Sequence, residues 1–330
     1  MAAWENTLLI AIDEEVEMLD GKRDVLHRGD PLYPEALLKL ADPPQELFVC
    51  GDPLALADDL ILVTGSRRAT PYGISCAALI GRIASERGIT VVSGGAMGCE
   101  ASALRAAMQA GGRIVVWAGS GPDVMYPHSS RDIFEAASTG AGCVVSEQPW
   151  GTGPLRSSFV HRRLLMVAVS DSIVVAEAGM RSGTTSIANA AVELGKKVYA
   201  FPGSIFSPES RGSNALISDG AVPIIDAEDF RLSLMIDYPA RMPSRQLIHL
   251  SQTAPQDTLT RYLIASPMTL EQLVSALEIE PVEVLRELHD REVQGLIVRL
   301  PDGRWSHAAQ TLVRREGSQL LDFELPAPER

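Results

Sequence analysis

A chain of 330 residues with 46% apolar side chains, 22% charged ones and a net charge of −13 can bury one large core and a second, smaller one. It has no apolar run long enough to cross a membrane, and its start lacks the basic-then-apolar pattern of a secretory leader, so neither is expected. Cys50, Cys76, Cys99 and Cys143 lie far apart, which excludes a metal-ligand spacing and a dense disulfide framework and fits a reduced, cytoplasmic compartment.

In chain order, residues 1–32 read as an acidic helical segment, with the amphipathic stretch Ile10 to Leu19 packed on a core. Residues 33–236 read as an α/β domain. Leu60 to Val63, Ile89 to Val92, Arg113 to Trp117, Ser172 to Ala176 and Lys197 to Phe201 are short apolar runs. They alternate with helical spacing over Ile74 to Ala84, Ala101 to Gln109 and a stretch ending near Leu194. That alternation predicts βαβ units and a Rossmann-like, mostly parallel sheet flanked by helices.

Each apolar run ends in a turn of small residues. Gly65 and Ser66 follow the first, with Arg67 next; Ser93 and Gly94 follow the second; Ser120 lies after the third; Ser182, Gly183 and Thr184 follow the fourth; Ser204 follows the fifth. Parallel strands present such exits on one edge, where ligands sit. Backbone N–H groups at helix starts attract anions there, and an arginine fork suits a phosphate. The pattern points to an extended phosphate-bearing ligand. Arg156, Ser157, Phe159, Arg162 and Arg163 form a basic stretch with one aromatic. Phe159 has two readings, a platform for a base flanked by Arg156 and Arg162 on phosphates, or an anchor for its own helix. Arg211 likewise reads as a rim cation or as the partner of an acid inside the fold.

Charge is unevenly spread. Residues 60–220 hold 14 basic and 11 acidic side chains, whereas residues 1–59 hold 4 and 14 and residues 221–330 hold 11 and 17. The segment with the glycine turns is the basic one, and local charge governs phosphate attraction within a Debye length of about 8 Å. Residues 237–257, with Pro239, Pro243 and Pro255, read as a linker. Residues 258–310 read as three helices and a two-stranded wing, resembling a winged-helix domain. Thr269 caps its second helix, Pro281 opens its third, and Val284, Leu285 and Leu288 share a face. The third helix is more acidic than basic, which suits a protein contact better than a DNA groove. Residues 311–330 read as a disordered tail.

The chain resembles the DprA/Smf family of DNA-processing proteins over about residues 33 to 235. Tyr33-Pro34, Leu37 to Pro44, Gly51-Asp52, Gly65-Ser66-Arg67 with Tyr72-Gly73, Ser93-Gly94, Tyr126-Pro127 and Ser146-Glu147 carry it. The longest match runs from Glu177-Ala178-Gly179 with Ser182-Gly183 through Pro202-Gly203-Ser204 and Ser207 to Asn214, ending in Ile217-Ser218-Asp219-Gly220-Ala221. The resemblance implies a Rossmann-like core that binds single-stranded DNA, protects it and helps load the RecA recombinase in natural transformation. It further implies a homodimer through the core, no membrane partner, no cofactor, no metal and no catalysis.

Two segments depart from the family. Ala96-Met97-Gly98-Cys99-Glu100 lacks an arginine that usually follows the Ser-Gly turn. Phe159-Val160-His161-Arg162-Arg163-Leu164 keeps the phenylalanine and first arginine but not the asparagine and final arginine. With about thirty residues before Tyr33, a full helical domain ahead of the core is not expected. A phosphoribohydrolase-type nucleotide enzyme and a nucleotide-sensing module remain as alternatives on the same fold. The former places a glutamate where Gly183-Thr184-Thr185-Ser186 runs into Ile187. Glu177 is read as an acid that orients loop N–H groups or an arginine, with a general base as the alternative. His128 and His161 are read as surface residues.

Overall fold

Strand Leu60–Thr64 is apolar on both faces: Ile61 and Val63 join one buried cluster, Leu60 and Leu62 the other. A strand of this kind is stable only with layers on both sides. The computed structural model describes residues 18–180, 183–239, 258–265, 267–300 and 302–307, and the chain divides into two units, Met1–Pro255 and Gln256–Arg330.

In the first unit the order is β1 (Arg23–His27), β2 (Glu46–Gly51), β3 (Leu60–Thr64), α1 (Pro71–Glu86), β4 (Thr90–Ser93), α2 (Cys99–Gln109) and β5 (Ile114–Trp117). There follow α3 (Arg131–Ala136), β6 (Gly142–Ser146), α4 (Arg156–Val169), β7 (Ser172–Val175) and α5 (Gly183–Glu193). β8 (Lys197–Ala200), α6 (Arg211–Ser218), β9 (Val222–Pro223) and α7 (Ala227–Asp237) complete the unit. The nine strands form one sheet in the order β1-β2-β6-β5-β4-β3-β7-β8-β9. β1 and β2 pair antiparallel at one edge and β2 pairs antiparallel with β6; from β6 to β9 every pair is parallel. This is the expected Rossmann-like α/β architecture. Strand order reverses beside β3: its chain leaves toward β4, while β7 lies on its other side, so the exits of β3 and β7 meet at the switch point.

One apolar layer packs α1, α2 and α7 residues such as Ile80, Leu104 and Phe230 on the sheet. The other packs Leu165 and Met166 of α4 and Ala191 of α5. No helix among the described residues is long and apolar enough to cross a membrane. All four cysteines are buried and unpaired with one another.

Two boundaries differ from expectation. Residues 23–27, placed in a helical segment, form β1, because Val25 and Leu26 can extend the sheet beside β2. Residues 1–17, with most of the amphipathic stretch from Ile10, lie outside the described residues. At the other end α7 continues to Asp237, and buried Tyr238 pairs its hydroxyl with that of Ser172 at 2.7 Å. The core therefore runs past residue 236 into the start of the expected linker; residues 240–257 are not described.

The second unit has α8 (Thr258–Ala265), α9 (Leu270–Leu277), α10 (Pro281–Val293) and an antiparallel hairpin, β10 (Ile297–Arg299) with β11 (Trp305–His307). Thr269 and Gln272 form the reciprocal cap of α9, and Pro281 opens α10. Leu263, Leu273, Val284, Leu288 and Trp305 close a small core. Leu285, expected beside Val284 and Leu288, is exposed: it follows Val284 by one position, about 100° round the helix, and so rotates out of the stripe that Val284 and Leu288 share. The expected tail, residues 311–330, is not described.

Candidate functional site

The exits of β3 and β7 are sewn together by one carboxylate. Glu177, buried just after β7, accepts the Thr70 N–H at 2.8 Å and also the Thr70 hydroxyl. Thr70 in turn caps α1 by accepting the Gly73 N–H at 3.3 Å. Burial pushes the Glu177 carboxyl up, while its bonds from Thr70 pull it back. Ser66 is tied on both sides: its N–H donates to the Glu177 carbonyl at 2.8 Å, and its carbonyl accepts from Cys99 at the start of α2 at 3.1 Å. The Ser66 N–H expected to face a ligand is thus a structural bond. What this loop offers outward is Arg67 and Arg68, both exposed and with no ion-pair partner recorded among the described residues.

The β4 exit is buried. Ser93 has no solvent exposure and donates its hydroxyl to the Val63 carbonyl at 2.7 Å. Glu100, on the first turn of α2, accepts from the Ala96 N–H at 3.1 Å and the Thr64 hydroxyl at 3.4 Å. Ser120, beyond β5, is also buried and donates to the Val124 carbonyl at 3.0 Å. Ser93 and Ser120 are corrected from ligand contacts to internal ties: both are buried, and their hydroxyls donate to the Val63 and Val124 carbonyls rather than facing the rim.

Helix α4 is docked onto these exits through its Phe159 and Arg162. A side-chain carbon on Gly119 would stand 2.7 Å from the Phe159 ring, and one on Gly94 would stand 2.5 Å from the Arg162 guanidinium. Glycine is therefore needed at both places for close approach. Arg162 is only 5% exposed; its Nη1 donates to the carbonyls of Gly94 at 3.0 Å and Trp117 at 2.9 Å, and its guanidinium covers the Phe159 ring. Tyr126 meets the same ring edge-on at 5.7 Å. The reading of Arg162 as a flanking phosphate contact is corrected: the side chain turns inward to pair two buried carbonyls. Burial draws its pKa down to about 10; Glu100 opposes that, and Arg67 and Arg163 add to it. Arg67 and Arg163 therefore lie close enough to Arg162 to oppose its charge, and Glu100 offsets them.

Arg156 and Ser157 stand exposed on the first turn of α4. Arg163 is half-buried, beside Gly183 and 3.4 Å from the Ser186 hydroxyl on α5. Gly183 is exposed, Thr184 is buried, and Ser182 lies outside the described residues. Ser204, beyond β8, is exposed. Arg211 is exposed, with no pairing acid recorded among the described residues, against the reading of an internal ion pair. His161, half-buried, meets Glu147 at 2.7 Å. Met97, where the family pattern has an arginine, is exposed. The structure therefore places Arg163 beside Gly183 and the start of α5, with Arg67 and Arg68 exposed on the loop after β3.

The family described as DNA recombination-mediator protein A matches residues 24–234. The chain belongs to that family. It is 31% identical over 281 residues to Protein Smf of Escherichia coli (strain K12), covering 82% of this chain and 74% of that one. It is 33% identical over 201 residues to DNA processing protein DprA of Streptococcus pneumoniae, covering 61% and 70%. The X-ray structure of that protein matches with a TM-score of 0.60 at 32% identity, over 63% of this chain and 73% of the other. DNA processing protein A from Helicobacter pylori, described for its single-stranded DNA binding mode, matches with a TM-score of 0.61 at 28% identity, over 66% and 98%.

Sequence reasoning missed two side chains that shape the rim in this family member. Glu100 was passed over because one acid on a small-residue helix carries no periodic signal. Asn214 grips the β8 exit, its Oδ1 accepting from the Gly203 N–H at 2.9 Å and its Nδ2 donating to the Gly203 carbonyl at 3.0 Å. It stands at the end of the ordered run from Pro202 to Asn214, whose two ends this pair of bonds joins.

Proposed function

We propose that this chain binds single-stranded DNA along the strand-exit rim, protects it and helps load RecA during DNA-mediated transformation, acting in the cytoplasm as a homodimer and without catalysis. The observation that carries this reading is geometric: exposed Arg67 on the loop after β3 and half-buried Arg163 beside Gly183 at the start of α5, set on turns that match a family whose Helicobacter pylori member is described as binding single-stranded DNA. Phosphates neutralised by exposed arginines supply sequence-independent affinity. A binding role rather than a catalytic one is favoured because both buried carboxylates here are engaged, Glu177 by Thr70 and Glu100 by Ala96 and Thr64. The dimer is supported by α7, which exposes Leu232, Met235 and Ile236 at one-turn spacing, a patch suited to a self-complementary contact.

The test is a salt-titrated binding series with single- and double-stranded oligonucleotides. A preference for the single strand at about 0.15 M salt supports the reading, and equal affinity overturns it. The RecA step is read as faster filament assembly on oligonucleotide already coated by a single-strand-binding protein.

A further inference from the structure

Phe206 is 87% exposed, and every other Phe, Tyr and Trp among the described residues is buried or half-buried. Ile205 beside it is 76% exposed. Large apolar side chains gain free energy by leaving water, so two held out together at a loop tip are a surface awaiting a partner.

The loop is braced rather than slack. Asn214 holds both backbone groups of Gly203, and the Tyr72 hydroxyl donates to the Pro202 carbonyl at 2.6 Å. Within the turn, the Ser207 N–H donates to the Ser204 carbonyl at 3.0 Å and the Phe206 N–H to the Ser204 hydroxyl oxygen at 3.2 Å. The base of the loop is fixed against the β7 exit, where the Ala178 N–H donates to Ser213 Oγ at 2.8 Å and the Ala178 carbonyl accepts from Gly212 at 2.7 Å. β3, β7 and β8 are parallel neighbours, so this loop leaves the same sheet edge as the loop that carries Arg67, and the Tyr72–Pro202 bond ties it to the first turn of α1. The ring of Phe159, by contrast, already has Arg162 over one face and Tyr126 at its edge.

We infer that Phe206 is the base-stacking residue of this rim, with Ile205 beside it, receiving a base of the single strand whose phosphates run past Arg67 and Arg163. The inference rests on the reading of the rim as a single-stranded DNA site. An aromatic face accepts any base, so this contact adds affinity without sequence preference and without a change in counterion release.

Three full-length forms decide it: wild type, Phe206→Ala and Phe206→Trp, each titrated with oligo(dT) and with an abasic deoxyribose-phosphate oligomer of equal length. The alanine variant should bind oligo(dT) about 10- to 100-fold more weakly with an unchanged salt slope, unchanged affinity for the abasic oligomer and an unchanged Tm. The tryptophan variant should keep wild-type affinity, and its added fluorescence should be quenched by oligo(dT). An alanine variant that binds oligo(dT) as wild type does, or loses equally on both oligomers, overturns the assignment, as does unquenched added fluorescence at saturation. If wild type binds neither oligomer, the rim reading falls and the assignment with it. If wild type binds oligo(dT) and Phe206→Ala binds it equally well, the assignment alone falls and the rim reading stands.

Discussion

The guanidinium carbon of Arg162 lies 4.7 Å from the centroid of the Phe159 ring, and the same guanidinium pairs the carbonyls that end β4 and β5. The two side chains form one wedge that seats α4 against the strand exits. An aromatic in this position is part of the frame, and its removal opens a gap beneath a buried cation.

Phe159→Ala should therefore lower stability by about 3 kcal/mol, the cost of deleting a packed aromatic. Oligonucleotide binding should fall only as the folded fraction falls. Tm measured beside the binding isotherm checks this: a stable variant with weak binding and an unchanged salt slope would return Phe159 to the role of a base platform.

Arg162→Met keeps the length of the side chain but leaves the carbonyls of Gly94 and Trp117 without their donor. The expected loss is about 2–5 kcal/mol from two unsatisfied buried acceptors. Arg162→Lys should recover part of it, because an ammonium can pair one of the two carbonyls. Urea unfolding of the three forms gives the order wild type, lysine, methionine; equal midpoints would show that the two bonds contribute nothing.

The repeating elements were legible because their signal is local and periodic. Ile61 to Val63 and Ile173 to Val175 are runs that only a two-sided sheet can bury, and Thr269 with Gln272 spells out a cap. The rim was legible as a place but not residue by residue. Whether Ser93, Ser120 or Arg162 faces water depends on what lies across the gap, here Val63, Val124 and Trp117. Ser93 and Arg162 pair with segments 30 and 45 residues away, Ser120 with a carbonyl four positions on in its own turn, and residue type alone decides none of these. Phe206 carries no such signal: unlike Phe159 it has no cation close to it in sequence, and only the fold shows that its ring stands in water.

Arg67→Ala should leave Tm unchanged, because the side chain is exposed. It should weaken binding to all single-stranded sequences alike and reduce the salt slope by about 0.7, the share of one phosphate contact on a single strand. Loss confined to particular sequences would mean that Arg67 reads bases. Unchanged affinity would remove it from the site.

Glu177 links stability to pH. Its folded carboxyl is raised above 4.5 by burial, partly offset by the bonds from Thr70, so the folded chain holds that proton more tightly than the unfolded chain. Stability from this group is then fully present below about pH 4.5 and is lost as pH rises through the folded pKa. Glu177→Gln removes the titration while keeping one acceptor for Thr70. The variant carries a constant penalty for the altered Thr70 bonds, and wild type carries a penalty that grows with pH. The difference in urea midpoint should therefore move in favour of the variant between about pH 4.5 and 7, with the other acids cancelling because both chains contain them. A difference that stays flat would show no shift at Glu177. Movement in favour of wild type would show that the Thr70 bonds outweigh burial and hold the carboxyl below its ordinary range.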